Sequence, residues 1–161
     1  MYGKILVPLD GSELAERALP HAEEIARGTG AEILLLQAVY IAMPIVPEAV
    51  LIAGGKAVEE AGKEAAAYLS KTAASLRAEG YRVRTVLEER PPADAILHIA
   101  DREEVDAIVM STHGRSGLSR LVMGSVAESV LHATRRPVML VKPGLHGAEE
   151  RKDENWSLHV P

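Results

Sequence analysis

Short apolar runs alternate along this chain with longer stretches patterned at helical spacing, and that alternation restricts the fold more than any other feature. Ile5-Leu6-Val7 is the first such run. Ala15, Ala18, Leu19, Ala22 and Ile25 then recur at three and four residues, which predicts an amphipathic helix over about Glu13 to Arg27 with Ser12 as its N-cap. Pro20 lies inside that pattern, where it removes an intrahelical N–H and conflicts with a continuous helix. Ile33 to Val39 reads as an apolar strand. Pro44, Pro47, Gly54 and Gly55 then mark an irregular connection, followed by an Ala- and Glu-rich helix predicted over about Lys56 to Glu79 and capped by Gly80.

Arg82 to Leu87 alternates polar with apolar residues, the pattern of a strand exposed on one side at a sheet edge. Beyond Pro91-Pro92, the positions Ala93, Ile96, Leu97 and Ala100 define a third helical face. Asp106 to Met110 has strand length and apolarity, a helix is predicted over Ser125 to Thr134, and Pro137 to Val141 supplies the last strand. Strand-helix alternation of this kind predicts an α/β fold, a parallel sheet with helices on both faces. The 161 residues fit a single domain, expected over 1–143. Residues 144–161 are polar and charged up to Asn155 and then run Trp156 to Pro161. A flexible tail is expected there, with docking of Trp156 on a partner subunit as the alternative.

Composition removes several classes of function. The chain has no cysteine, which excludes disulfides, thiolate chemistry and a Cys-based zinc site. No apolar run is long enough to cross a bilayer and no secretory leader is visible, so the expected location is cytoplasmic, without a membrane partner. A net charge of −5 argues against nonspecific attraction to nucleic acid, and the absence of phenylalanine with few other aromatics argues against base-stacking platforms.

The stretch Ser111 to Ser125 joins the Asp106 strand to a helix start through glycine, arginine and hydroxyl residues, the chemistry of a phosphate cradle. Gly114, Gly117 and Gly124 let a backbone approach an anion, Arg115 supplies positive charge, and free N–H groups at the following helix start point toward negative charge. Ser125-Val126-Ala127-Glu128 reads as a capping box, so the helix is expected to begin at Ser125. His113 has two open readings, ligand contact or a hydrogen bond within the turn, and Arg120 is unassigned. No Walker A string occurs. Gly28-Thr29-Gly30-Ala31-Glu32-Ile33 lacks the last glycine of a dinucleotide fingerprint and precedes a strand instead of opening a helix. His21, His98 and His132 have no second ligand at metal spacing, and any metal site is left unknown.

With these residues in place, the chain resembles the universal stress protein family, in particular its ATP-binding branch, whose signature is Gly, two residues, Gly, nine residues, Gly, then Ser or Thr. Ser111 stands at the first glycine, Gly114 at the second, Gly124 at the third and Ser125 at the hydroxyl. Lys4 to Ser12 looks like the family's opening strand and loop, and Arg136 to Lys142 like its last strand. The resemblance implies an open five-stranded sheet of order 3-2-1-4-5, adenine nucleotide alpha hydrolase-like, with the ligand beyond strands 1 and 4 where the order reverses. It places Pro8, Leu9 and Asp10 across a crevice from Ser111 to Ser125, with Ala38 and Val39 at the adjacent strand end. Asp10 matches an aspartate beside adenine and ribose, although an Asx turn is its alternative reading. Ala38 matches a small residue whose backbone reads adenine, and Gly114, Gly124 and Ser125 match the phosphate and ribose cradle, with Val126 and Ala127 adding backbone N–H groups. The implied ligand is ATP, or ADP or AMP, with Mg²⁺ as an accompanying ion, and the implied assembly is a homodimer through the Val138–Val141 strand. The implied activity is nucleotide binding in stress response or signalling, with little or no turnover. The competing readings are a slow ATP-hydrolysing or phosphoryl-transferring enzyme, and a member without nucleotide that acts by protein contacts, to which Ser111 and Ala127 would point.

Overall fold

The computed structural model describes residues 2–40, 48–112 and 123–142, with only the backbone described over 48–54. The elements in chain order are β1 (Lys4–Leu9), α1 (Glu13–Glu16), α2 (Leu19–Thr29), β2 (Glu32–Ala38), α3 (Glu48–Ala78), β3 (Val83–Glu88), α4 (Pro92–Arg102), β4 (Ala107–Ser111), α5 (Ser125–Ala133) and β5 (Val138–Val141). The five strands are parallel in the order β3-β2-β1-β4-β5. This is the order the resemblance implied.

Period-2 alternation on the inner strands divides the core into two layers. Ile5, Val7 and Leu9 of β1 and Ile33 and Leu35 of β2 pack against Ala18, the N-cap of α2, Ala22 and Ala26 within it, and Leu69, Ala73 and Leu76 of α3. On the other face, Leu6, Leu34, Leu36, Ile108 and Met110 pack against Ile96 and Ile99 of α4 and Val130 of α5. The outer strand β3 lies at the sheet edge as expected, but its burial does not alternate: only Val83 is buried, and Thr85 and Leu87 on the same face are exposed.

Pro20 resolves its conflict by dividing the first predicted helix in two. Glu16 ends α1, and Pro20 falls in the first turn of α2, where the missing N–H removes no helical bond. Gly30 closes α2 at φ +73, its N–H donating to the Ala26 carbonyl at 2.7 Å, so the glycine string set aside in the sequence is a helix end. Helix α3 begins at Glu48 and runs through Gly54 and Gly55, which the sequence reading had taken as part of an irregular connection. Each glycine costs about 1 kcal/mol relative to alanine in a helix, too little to stop a run rich in Ala, Val, Leu and Ile. The buried face of α4 is Ala95, Ile96, Ile99 and Ala100, rotated from the face expected, and Leu97 is only half-buried. Helix α5 begins at Ser125 as expected, but the capping box does not form, because Gly124 is the N-cap and Ser125 is already the first helical residue.

Helices α3 and α4 end in the same way. After α3, the Gly80 N–H donates to Arg77 and the Tyr81 N–H to Leu76, at 3.0 and 3.1 Å, with Gly80 at φ +93. After α4, the Glu104 N–H donates to Asp101 and the Val105 N–H to Ala100, at 3.2 and 3.1 Å, with Glu104 at φ +50. Both are Schellman closures, which need a left-handed residue, and at Glu104 a side chain occupies that conformation. Glu104 is exposed and its substitution disturbs no core contact. Glu104→Gly is therefore expected to stabilise the fold by about 0.5–1 kcal/mol, raising Tm by roughly 1–4 °C for a chain of this size. Thermal and urea unfolding of the two proteins checks this, and an unchanged or lower stability would refute the strain argument.

Candidate functional site

The site begins with a proline inside a central strand. On β1, the Gly3 carbonyl accepts from Glu32 on the β2 side and the Lys4 carbonyl accepts from Asp106 on the β4 side, so alternate residues address alternate neighbours. Leu6 and Pro8 therefore turn their backbones toward β4. Pro8 has no N–H to donate, and the β1–β4 ladder ends at Leu6↔Ile108 while the β1–β2 ladder continues to Leu9↔Gln37. Past Leu6 the two strands separate. The chain leaves β1 toward the α2 face and β4 toward the α5 face, and a cleft of about 410 Å³ opens between them at the carboxyl ends of the strands.

Pro8, Leu9, Asp10, Ala38, Ser111, Gly124, Ser125, Val126 and Ala127, all singled out in the sequence, line this cleft together. Val39 does not. It is buried, and its N–H donates to the Glu88 carbonyl at 2.9 Å, which extends the β2–β3 pairing. His113, Gly114, Arg115 and Gly117 lie outside the described residues, as does Arg120.

Asp10 is fixed by the turn that follows it. Its Oδ1 accepts from the Ser12 N–H at 2.9 Å and from the Ser12 hydroxyl, whose oxygen in turn accepts from the Ala15 N–H at 3.1 Å and caps α1. The Asx-turn reading of Asp10 is thus realised, and it holds the carboxylate at the cleft wall. Gly11, at φ +80, supplies the left-handed conformation the turn needs. The Tyr68 hydroxyl donates to Glu16 Oε1 at 2.8 Å and anchors α1 to α3; burial, and then this carboxylate, hold the phenol well above its ordinary pKa.

Across the cleft, Ser111 and Thr112 are buried. The Thr112 N–H donates to the Val141 carbonyl at 2.9 Å, and the Thr112 carbonyl accepts from Gly124 at 2.8 Å, so residues 112 and 124, which flank the cradle sequence, are joined directly. The first helical bond of α5 runs from the Glu128 N–H to the Gly124 carbonyl at 3.0 Å. The N–H groups of Ser125, Val126 and Ala127 precede it, outside the helix's own ladder and on the wall of the cleft, at the positive end of the helix dipole. A helix start of this kind can accept an anion.

The end of β2 contributes residues that the sequence reading passed over. Gln37 and Tyr40 line the cleft with Ala38, and Ala15, Leu36, Pro92, Ile96, Met110 and Thr112 complete its described lining. The sequence did carry a signal for Gln37: it is the one polar residue in the run Ile33 to Val39. Asp10 is the sole acidic side chain among the described lining residues, and no group of three metal-ligating side chains occurs among the described residues.

A family model described as the universal stress protein family matches residues 1–142. Universal stress protein MJ0531 of Methanocaldococcus jannaschii is 34% identical over 146 residues, covering 88% of this chain and 83% of its own length. Universal stress protein MJ0577 of the same organism is 33% identical, covering 88% and 96%. Among solved structures, that of MJ0577 superposes with a TM-score of 0.75 at 30% identity, over 89% of this chain and 98% of the other. A universal stress protein from Archaeoglobus fulgidus, solved in complex with dAMP, superposes with a TM-score of 0.60 at 27% identity, over 88% and 98%. The order of the strands, the cleft where that order reverses and these matches over nearly the whole chain agree: the protein belongs to the universal stress protein family.

Proposed function

We propose that this chain binds an adenine nucleotide, ATP or its lower phosphates ADP and AMP, in the cleft between β1 and β4, and acts as a stress-response or signalling module through binding rather than turnover. The observation that carries this reading is that the first residues of α5, Ser125, Val126 and Ala127, line the same cleft as the Asp10 turn. The first wall receives phosphate, and the second offers a fixed carboxylate to a ribose or base. The volume falls in the range of small-molecule sites, and the Archaeoglobus relative solved with dAMP supports the ligand class. In this reading His113, Gly114, Arg115 and Gly117 complete the cradle from the loop, and Mg²⁺ accompanies the phosphates next to the Ser125 hydroxyl. Ser111, at the first glycine of the signature, brings only a small buried side chain to the cleft.

Gly124 has φ −63 and ψ 145, a conformation open to any L-residue, so a side chain can be added there without backbone strain. Gly124→Leu should fill the mouth of the cradle while leaving the fold intact. Calorimetry with ATP is expected to show binding lost and the unfolding transition retained, and an unchanged affinity would remove this site assignment.

Turnover needs groups that stabilise the transition state more than the ground state. The described lining carries one carboxylate, and the Ser12 turn holds it. ATP hydrolysis is accordingly expected far below the ordinary enzymatic rate of about ten per second. A phosphate-release assay at saturating ATP that approached that rate would favour the competing hydrolase reading.

Assembly is proposed through β5. This strand lies at the end of the sheet with Val138, Met139, Leu140 and Val141 along it, and Met139 is 43% exposed. An open apolar edge is closed when the same strand of a second copy pairs with it about a two-fold axis. Sedimentation equilibrium is expected to give a dimer at micromolar concentration and a shift toward monomer in Met139→Lys; a monomeric wild-type protein would contradict the pairing. No helix among the described residues is long and apolar enough to cross a membrane. A cytoplasmic location and the absence of nucleic-acid partners are part of the proposal, and residues 144–161 are assigned to a tail outside the domain.

A further inference from the structure

The sheet has an open edge at β3 as well as at β5. On β3 the Arg82 carbonyl accepts from Ile33 and the Glu88 carbonyl from Val39, so Arg82, Arg84, Val86 and Glu88 turn their backbones toward β2. The backbones of Val83, Thr85 and Leu87 therefore point away from the sheet. Arg77 of α3 confirms the direction: its Nε and Nη2 donate to the outward Val83 carbonyl at 3.1 and 2.7 Å. Arg77 covers that one group, and no strand among the described residues pairs with the outer side of β3 at Thr85 and Leu87. Edges of this kind are ordinarily blunted by proline, by an inward charge or by a bulge. The register of β3 runs without a bulge, and neither Thr85 nor Leu87 carries charge.

Thr85 and Leu87 share the α3 face of the sheet with Val83, and both are exposed, Leu87 by 38%. The adjoining flank of α3 is low: Ala66, Ser70 and Ala74 recur at helical spacing with Arg77 and are exposed. The result is a shelf with a leucine on its floor and small residues along its wall, which leaves room for large side chains. The chain itself holds a segment of matching pattern. Trp156, Leu158 and Val160 alternate with Ser157 and His159, the period of a strand with one apolar face. This segment lies beyond residue 142, where the match to the family ends.

We propose that residues 156–160 add to the outer edge of β3 as a further strand of the same sheet, antiparallel to β3, with Trp156, Leu158 and Val160 on the shelf beside α3. The direction follows from the connection: β5 ends at the carboxyl edge of the parallel sheet, so the segment enters from that edge and runs back. From β5 to a position beyond β3 is five strand spacings, roughly 24 Å, and the 13 residues between Lys142 and Trp156 extend to about 43 Å. Placing Leu158 opposite Thr85 sets Trp156 opposite Leu87 and Val160 opposite Val83. In that register the apolar row packs on the α3 face, and the outward N–H and C=O groups of Thr85 and Leu87 exchange hydrogen bonds with Leu158 and Trp156. A slip of one residue would turn the whole row to the other face, so the pattern of the segment fixes the register.

The full chain carries one tryptophan and no cysteine, which provides two clean probes. Trp156 is expected to emit at shorter wavelength in the folded protein than in urea. Leu87→Lys, which removes the floor of the shelf, is expected to weaken docking roughly tenfold and move the emission toward the unfolded value while the circular dichroism stays unchanged. Thr85→Cys combined with Leu158→Cys is expected to close a disulfide within one chain on mild oxidation, because such partners lie about 5.5 Å apart at Cα. Thr85→Cys combined with Ser157→Cys, whose side chain points to the other face, is expected to close it far more slowly. Wild-type emission equal to that of the unfolded chain overturns the proposal. A shorter-wavelength emission without the Thr85→Cys, Leu158→Cys disulfide buries the indole elsewhere and overturns it too. Equal rates for the two cysteine pairs refute the strand register, and a disulfide formed between chains makes the segment an arm on a second copy and refutes docking within one chain.

Discussion

The missing N–H of Pro8 sets the geometry on which the rest of the molecule depends. Strand β1 is the centre of the sheet, with Ile5, Leu6 and Val7 fully buried, and a strand in that position ordinarily bonds to both neighbours along its length. Pro8 faces β4 and has nothing to donate, so the ladder on that side stops at Leu6 while the β2 side continues to Leu9. A central proline would weaken a sheet that had to stay closed. Here the sheet opens at its carboxyl edge, at the point where the order of strands reverses and the two following connections leave by opposite faces. The cleft is a defect of hydrogen bonding placed where topology already forces the chain apart.

Both walls of that cleft are made rigid by bonds close to the chain rather than by distant packing. Asp10, Ser12 and Ala15 form a relay within six residues that fixes the carboxylate and starts α1, and the Tyr68 hydroxyl then secures α1 through Glu16. Opposite, Thr112 bonds to Val141 and Gly124, so the end of β4, the end of β5 and the start of α5 share one residue. A loop can vary between Thr112 and Gly124 without moving the helix start, because its two ends are tied to each other.

Much of this was legible because strands and helices differ in period. The runs at Ile5, Ile33 and Asp106 gave the inner strands, and the alternation of Arg82 to Leu87 identified an edge strand. The errors came where a local signal competed with a stronger one. Pro20 inside a helical pattern meant two helices, since proline is harmless in a first turn. Gly54 and Gly55 looked like punctuation but were carried by the helix-forming residues around them. Ser125 and Glu128 matched a capping box, yet Gly124 took the cap position, and its own N–H is held by Thr112. Glu104 carried no sign of a left-handed residue, because the need arises from how α4 must turn into β4. The family resemblance added the strand order, which periodicity alone does not contain.

Gln37 shows why part of a site escapes a reading by pattern. Hydrophobic periodicity identifies a strand by its majority and treats a single polar residue as tolerated, yet in a buried row the exception carries the information. Leu9 and Leu87 beside it, and Leu35 and Val39 on its own strand, provide no donor, so the fold leaves its amide oxygen unpaired. The opposite wall of the cleft behaves in the opposite way: glycines and a helix start are visible in sequence because they are backbone features with fixed residue preferences. Backbone recognition of phosphate serves any nucleotide, since every nucleotide carries the same phosphates.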